Sequence, residues 1–427
     1  MSILSFRRNV SRLLSLNVVV FSLLLIERGA HAEDPSVTVQ AYRRDLIYRL
    51  EEPLCNGLDV TEALSYYLAG RKLLKRDPQQ ALIQFRKGIE ACKGPFAVLP
   101  PPTFKPLNFD DVRIEEIQTL TVPEVLWQMM GTEPANDITF KLIKFKVDGL
   151  EEYGVVIRPK AVKGRLPLLM YAHGAAFGVP DYALPGCADL ARRGYVVAAP
   201  AFRGEDALLR SMTKDTWPAL KCEGNIENLD GEVRDFLALA RAMRREPYVR
   251  NGHYGAIGHS FGAGAALLAM ARDPDLICMV SYDAWMTNPF RFYWERLAAE
   301  GKYDDKSYLW GSWNEFIDNQ PARVQLMELR KRSFLHQAEG IRGALLLFTG
   351  GAYNGSAYHY SHRQLVQKLR KLKKTFRYEI IPGGGHNFVL YPMQEPARIA
   401  AKIQDEWLER YFPPLKPKAA ETKGARH

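Results

Sequence analysis

The stretch from His253 to Ala271, HYGAIGHSFGAGAALLAMA, constrains this chain more tightly than any other. Its first part is a short apolar run of strand type, and its last part is a run of small and apolar residues of helical type. The two meet at Gly258-His259-Ser260-Phe261-Gly262 with no room for a loop. Strand can turn into helix that sharply only where colliding side chains are missing, and the two glycines remove them. Gly264 and the alanines around it let the helix lie close to a sheet. A serine at such a turn has its hydroxyl lifted clear of the backbone, so Ser260 is the candidate nucleophile. The plainer alternative is a glycine-rich turn carrying an inert serine.

A serine hydroxyl attacks only when a base takes its proton, and the base works only when a third group fixes its tautomer. The segment IPGGGHNF puts His386 after the strand-like RYEII and before the last helix, and no other histidine follows until the terminal His427. His386 is the candidate base. From Ile341 to Tyr378, across the strand-like ALLLFTG, there is no Asp or Glu. Asn354 lies there, but a neutral amide supplies no charge for an imidazolium. The preceding strand-like run, ICMVSY, ends at Asp283, and a carboxylate at the edge of a neighbouring strand keeps the order Ser, Asp, His. Asp283 is the candidate acid, against the reading of an ordinary strand-end aspartate. The oxyanion of a tetrahedral intermediate needs two N–H donors. Phe261, next after the serine, is one, and Ala175 in the loop after PLLMYAHG is the other. His173 and His259 read as structural, and His359 with His362 is too sparse for a metal site. No metal or cofactor is expected.

The start of the chain is expected to be a signal peptide over residues 1–32. Arg7, Arg8 and Arg12 precede an apolar run, and Ala30 and Ala32 close it in an Ala-x-Ala pattern. That run is too short for a stable membrane span, so an exported soluble chain beginning at Glu33, periplasmic or extracellular, is expected. Much of the formal net charge of +10 sits at the ends. Arg7, Arg8, Arg12 and Arg28 outweigh Glu27, and Lys416, Lys418, Lys423 and Arg426 outweigh Glu421 in a basic, disordered tail over 413–427. The body between them is only mildly basic and shows no stripe of basic and aromatic residues that would suggest nucleic acid. In an oxidising compartment Cys55 with Cys92 and Cys187 with Cys222 are candidate disulfides, leaving Cys278.

Residues 33–98 read as helical, with Asp77 capping a helix that opens on Pro78. They make a helical annex packed on the main domain, since one hairpin cannot form a solenoid. LPPPTFKPLNF, residues 99–109, is a proline-rich linker. From 110 to 412, strand-like runs (ITFKLIKFKV, YGVVIRP, GYVVAAPAF, HYGAIG, LICMVSYD, ALLLFTG) alternate with helical ones. The expected class is α/β, a mostly parallel sheet covered on both faces.

GHSFGAG followed by YDAWM resembles the plasma-type platelet-activating-factor acetylhydrolases, and YAHGAAFG and RRGYVVAAPAFRGED resemble that family's oxyanion loop and next strand. More broadly, residues from about 140 to 412 resemble the dienelactone-hydrolase-like and acyl-esterase α/β-hydrolases. The resemblance implies the α/β-hydrolase fold, with Ser260, Asp283 and His386 as the triad and Phe261 and Ala175 as oxyanion donors. It implies hydrolysis of a small-molecule ester without a cofactor, whereas the phospholipid specificity of the first group does not carry over. Residues 286–340 depart from that pattern, lying where such enzymes insert a cap. Trp294, Trp310 and Trp313 there present either a lid to substrate or a further core layer. Two rivals stand beside the esterase. One is a serine peptidase of prolyl-oligopeptidase type, whose usual β-propeller the region before Pro100 is too short and too helical to supply. The other is a non-catalytic binding protein. Neither the ester nor the oligomeric state is legible.

Overall fold

The computed structural model describes residues 35–161, 164–174, 177–299, 317, 319–353 and 357–415. The signal peptide expected over 1–32, Ala175, Trp310, Trp313, Asn354 and most of the basic tail lie outside the described residues.

Nine strands form one sheet among the described residues. In chain order they are β1 (Glu115–Leu120), β2 (Ile138–Val147), β3 (Leu150–Pro159), β4 (Leu168–Ala172), β6 (Val196–Pro200), β8 (Tyr254–His259), β9 (Leu276–Tyr282), β10 (Ala344–Gly350) and β11 (Phe376–Ile381), while β5 (Val179–Pro180) and β7 (Leu208–Leu209) pair separately. The spatial order is β1-β2-β3-β6-β4-β8-β9-β10-β11. β1, β2, β3 and β6 pair antiparallel, and every pairing from β6 onward is parallel. β8, which leads to Ser260, is buried throughout and lies between β4 and β9.

Successive residues of the central strands enter opposite cores, because a strand points its side chains alternately to the two faces. Leu168 and Met170 join one buried cluster and Leu169 the other, and Leu345 and Leu347 separate from Leu346 and Phe348 in the same way. One face carries α7 (Gly231–Met243) and α8 (Ser260–Arg272), and the other carries α6 (Leu184–Arg192) and α13 (Glu395–Tyr411). This is the α/β-hydrolase fold, with the small-residue helix α8 seated against β4, β8 and β9.

The N-terminal helices are α1 (Pro35–Arg49), α2 (Glu51–Cys55), α3 (Thr61–Leu73) and α4 (Pro78–Ala91). Asp77 caps α4 through the Gln80 N–H at 3.0 Å, and Pro78 occupies its first turn. Their apolar faces join the same core as α8. They rest on α9 (Pro289–Ala298) and α10 (Ala322–Arg332) of the 286–340 segment. The Tyr67 hydroxyl donates to Leu297 O at 2.9 Å, and Asn288 Nδ2 donates to Cys55 O at 2.9 Å. The Trp294 indole N–H donates to Ile47 O at 2.8 Å. Trp294 is therefore a core residue between the segment and the annex, presented to the N-terminal helices and not to a substrate. The linker lies along α7, whose Arg234 donates to Pro106 O at 3.0 Å.

All five cysteines are free thiols, so neither candidate disulfide forms. Burial drives them up from the ordinary thiol range, Cys187 and Cys278 to about 12. Among the described residues no helix is long and apolar enough to cross a membrane, and no group of three or more His, Cys, Asp or Glu side chains is arranged to hold a metal ion.

Candidate active site

β8 ends at His259 in extended backbone, and Ser260 turns at φ +51°, in the left-handed region that side chains other than glycine rarely occupy. The close approach behind the turn explains its glycines. A Cβ on Gly258 would lie 2.7 Å from Ala263 Cα, and one on Gly262 would run into the Ala172 and His173 carbonyls. The Gly262 N–H donates to His173 O at 3.0 Å, tying the first turn of α8 to the loop after β4. The strain at Ser260 is thus held by the packing around it. Phe261 is wholly buried, and its N–H falls in the helix's first turn, outside the intrahelical ladder.

Ser260 Oγ lies 2.7 Å from His386 Nε2, hydrogen-bond distance between residues far apart in the chain. His386 follows β11 on the PGGGHN loop. Burial, then the nearness of His259 and His362, lowers it from 6.5 to about 4, so the ring is neutral at pH 7 and can accept a proton. The Tyr358 ring meets it edge-on, centroids 5.1 Å apart.

Asp283 follows β9 at φ +44° and is fully buried. Its Oδ1 accepts the Gly350 N–H at 2.9 Å, while Oδ2 accepts no hydrogen bond among the described residues. Burial raises this carboxyl from 3.8 to about 7, with the Gly350 N–H opposing the rise. Gly350 ends β10, the strand between Asp283 and the His386 loop. A Cβ there would lie 2.5 Å from Gly384 O and 2.8 Å from Gly385 O. One glycine thus holds the candidate acid with its N–H and supports the loop of the candidate base with its bare Cα. Its signal in the sequence was the Gly350-Gly351 pair closing a strand, which by itself says nothing of a partner loop.

His173 is buried, with Nε2 3.4 Å from Glu205 Oε2, and Glu205 accepts the Gly178 N–H at 2.9 Å. This pair pins the loop after β4 in place. Sequence reasoning passed over Tyr358, and over His259 as anything beyond bland structure. A lone aromatic and a motif histidine carry no local mark of what they meet across the fold.

Residues 187–414 match the profile of the prolyl oligopeptidase family. The chain belongs to that family. As a member of the prolyl oligopeptidase family it is an α/β-hydrolase of the serine hydrolase type. The superfamily expected from the motifs is the one found, and the matching family is the one held there as the peptidase rival. The chain is similar to acetyl xylan esterase 1 from Thermoanaerobacterium sp., at 16% identity over 69% of this chain and 87% of that one, TM-score 0.47. It is similar to an acylaminoacyl peptidase from Pyrococcus horikoshii at 17% identity and TM-score 0.49, covering 66% of this chain and 43% of the peptidase. A putative dienelactone hydrolase from Klebsiella pneumoniae aligns at 18% identity over 65% of this chain and 100% of that one, TM-score 0.43. No curated protein sequence matches the chain.

Proposed function

We propose that this member of the prolyl oligopeptidase family is an exported esterase that cleaves small carboxylic esters through a covalent acyl-enzyme. The observation that carries the reading is the 2.7 Å approach of Ser260 Oγ to the neutral imidazole of His386 from a strained strand-to-helix turn. Ser260 Oγ bonds to the ester carbonyl carbon as its proton passes to His386 Nε2. The oxyanion takes the N–H groups of Phe261 and Ala175. The intermediate collapses, the carbon–oxygen bond to the alcohol breaks, and His386 returns the proton to the departing alkoxide. Water, deprotonated by His386, then releases the acid and restores Ser260. Asp283 supplies the negative charge that stabilises the imidazolium in both halves.

The family match favours a second reading, cleavage of peptides or acylated amino acids by the same residues. Turnover of p-nitrophenyl acetate and butyrate, set beside aminoacyl and prolyl p-nitroanilides, separates the two. Ester turnover that disappears in Ser260→Ala supports the esterase, and faster anilide turnover moves the peptidase to the front. No turnover of either by the wild type returns the binding protein. Export is tested by N-terminal sequencing of the secreted fraction, where a start at Glu33 is expected and an intact Met1 refutes it.

A further inference from the structure

His259, the residue before the candidate nucleophile, makes a contact that the proposed chemistry does not use. It is the last residue of β8, on the same face of the strand as Ile257. Its Nε2 lies 3.0 Å from the backbone carbonyl oxygen of His386, and the two rings stand 5.3 Å apart between centroids. The Nδ1–Cε1 edge of the ring abuts the loop after β4, where a Cβ on Gly174 would strike Nδ1 and lie 3.2 Å from Ser260 Cβ. The imidazole thus stands between the loop expected to hold the oxyanion and the loop that carries the base, and it touches the backbone of both.

We infer that His259 is a positioning residue: its Nε2–H, donated to His386 O, sets the His386 backbone at the height from which the imidazole reaches Ser260. This rests on the serine-hydrolase reading. A carbonyl oxygen can only accept, so the proton of the bond belongs to His259. The ring is buried, and burial lowers its basicity, so it is neutral with its single proton on Nε2. A groove of about 290 Å³, partly open to solvent, runs beneath the ring between α6 and α13, lined by His259, Tyr171, Ile257 and Tyr282. The hydrogen bond is the directional restraint there, and in-line attack is sensitive to small displacements of the base. Serine, phenylalanine and glycine around it could form the same turn with any residue before the serine, so the turn does not account for a histidine.

The test uses the full mature chain, its rate of phosphonylation by a fluorophosphonate, and kcat and KM on p-nitrophenyl acetate. In the labelling step Ser260 Oγ bonds to phosphorus, fluoride leaves, and the proton goes to His386. His259→Phe keeps a ring that the groove can hold and removes the donor, whereas His259→Gln keeps a donor. With melting temperatures matched, His259→Phe is expected to label about tenfold more slowly and lose kcat about tenfold at unchanged KM, about 1.4 kcal/mol of barrier. His259→Gln is expected to stay within about threefold of wild type, a difference of under 1 kcal/mol. Labelling of His259→Phe at the wild-type rate overturns the inference, as does an equal loss in both variants. If His259→Phe does not fold, nitrogen NMR of the wild type decides: a proton on Nε2 supports the bond and one on Nδ1 overturns it. A wild type that is not labelled at Ser260 overturns the serine-hydrolase reading, and this inference with it. A labelled wild type with an indifferent His259 overturns this inference alone.

Discussion

Asp283→Asn removes one charge and almost no volume, and the structure makes two opposed demands of it. Oδ1 keeps the Gly350 N–H, so the amide nitrogen must replace Oδ2. In the proposed mechanism that places N–H donors where the imidazolium needs a negative acceptor. If Asp283 is the acid, kcat on p-nitrophenyl acetate falls by about 10³ to 10⁴, or about 4 to 5 kcal/mol of barrier. Stability moves the other way. The folded carboxyl titrates near 7 against 3.8 for an ordinary one, so the folded state binds its proton more tightly than the unfolded state. Stability is therefore fullest below about pH 4 and is lost as the pH rises towards 7. The displacement is worth on the order of 4 kcal/mol, and the poorly paired amide returns about 2 kcal/mol. The variant should be about 2 kcal/mol more stable than wild type at pH 8 and no more stable at pH 4, read by urea unfolding at the two pH values. Turnover within tenfold of wild type would remove Asp283 from the mechanism. Equal stability differences at both pH values would refute the burial argument.

Three other outcomes follow from the same contacts. Ser260→Gly relieves the φ of +51°, so it should abolish turnover while gaining about 1 kcal/mol in stability by urea unfolding; a loss of stability would show that the turn is not strained. Gly350→Ala pushes its Cβ against Gly384 O and Gly385 O. It should displace the His386 loop and cost about 10² in kcat with far-ultraviolet circular dichroism unchanged, and full activity would refute the close approach. Glu152 is wholly buried, and burial followed by the charge of Asp235 raises its carboxyl far above the ordinary range. Folding at pH 8 therefore takes up a proton, and Glu152→Gln, which needs none, should melt at least about 2 °C higher there and gain nothing at pH 5. A gain that does not depend on pH would contradict this account.

What the sequence determined by itself is whatever depends on near neighbours in the chain. Glycines 258 and 262 permit the turn at Ser260, alternation marks β2 at Ile138–Val147, a short apolar run marks β10 at Ala344–Gly350, and Asp77-Pro78 opens α4. Those are statements about backbone sterics and about which face of an element is apolar, and both are encoded within a few residues. The absence of any acid from Ile341 to Tyr378 makes the end of β9 the place to seek one, because parallel strands place their C-terminal ends along one edge. Tertiary structure alone decided which distant groups meet. It set Gly350 between Asp283 and the His386 loop, and turned α9 (Pro289–Ala298) towards the N-terminal helices through Trp294 and Ile47. It left five cysteines unpaired and joined His259 to the carbonyl of His386. Each of these depends on the crossing of segments that are distant in the chain. No local pattern carries that, because the free energy that selects one crossing is shared among all the side chains packed between them.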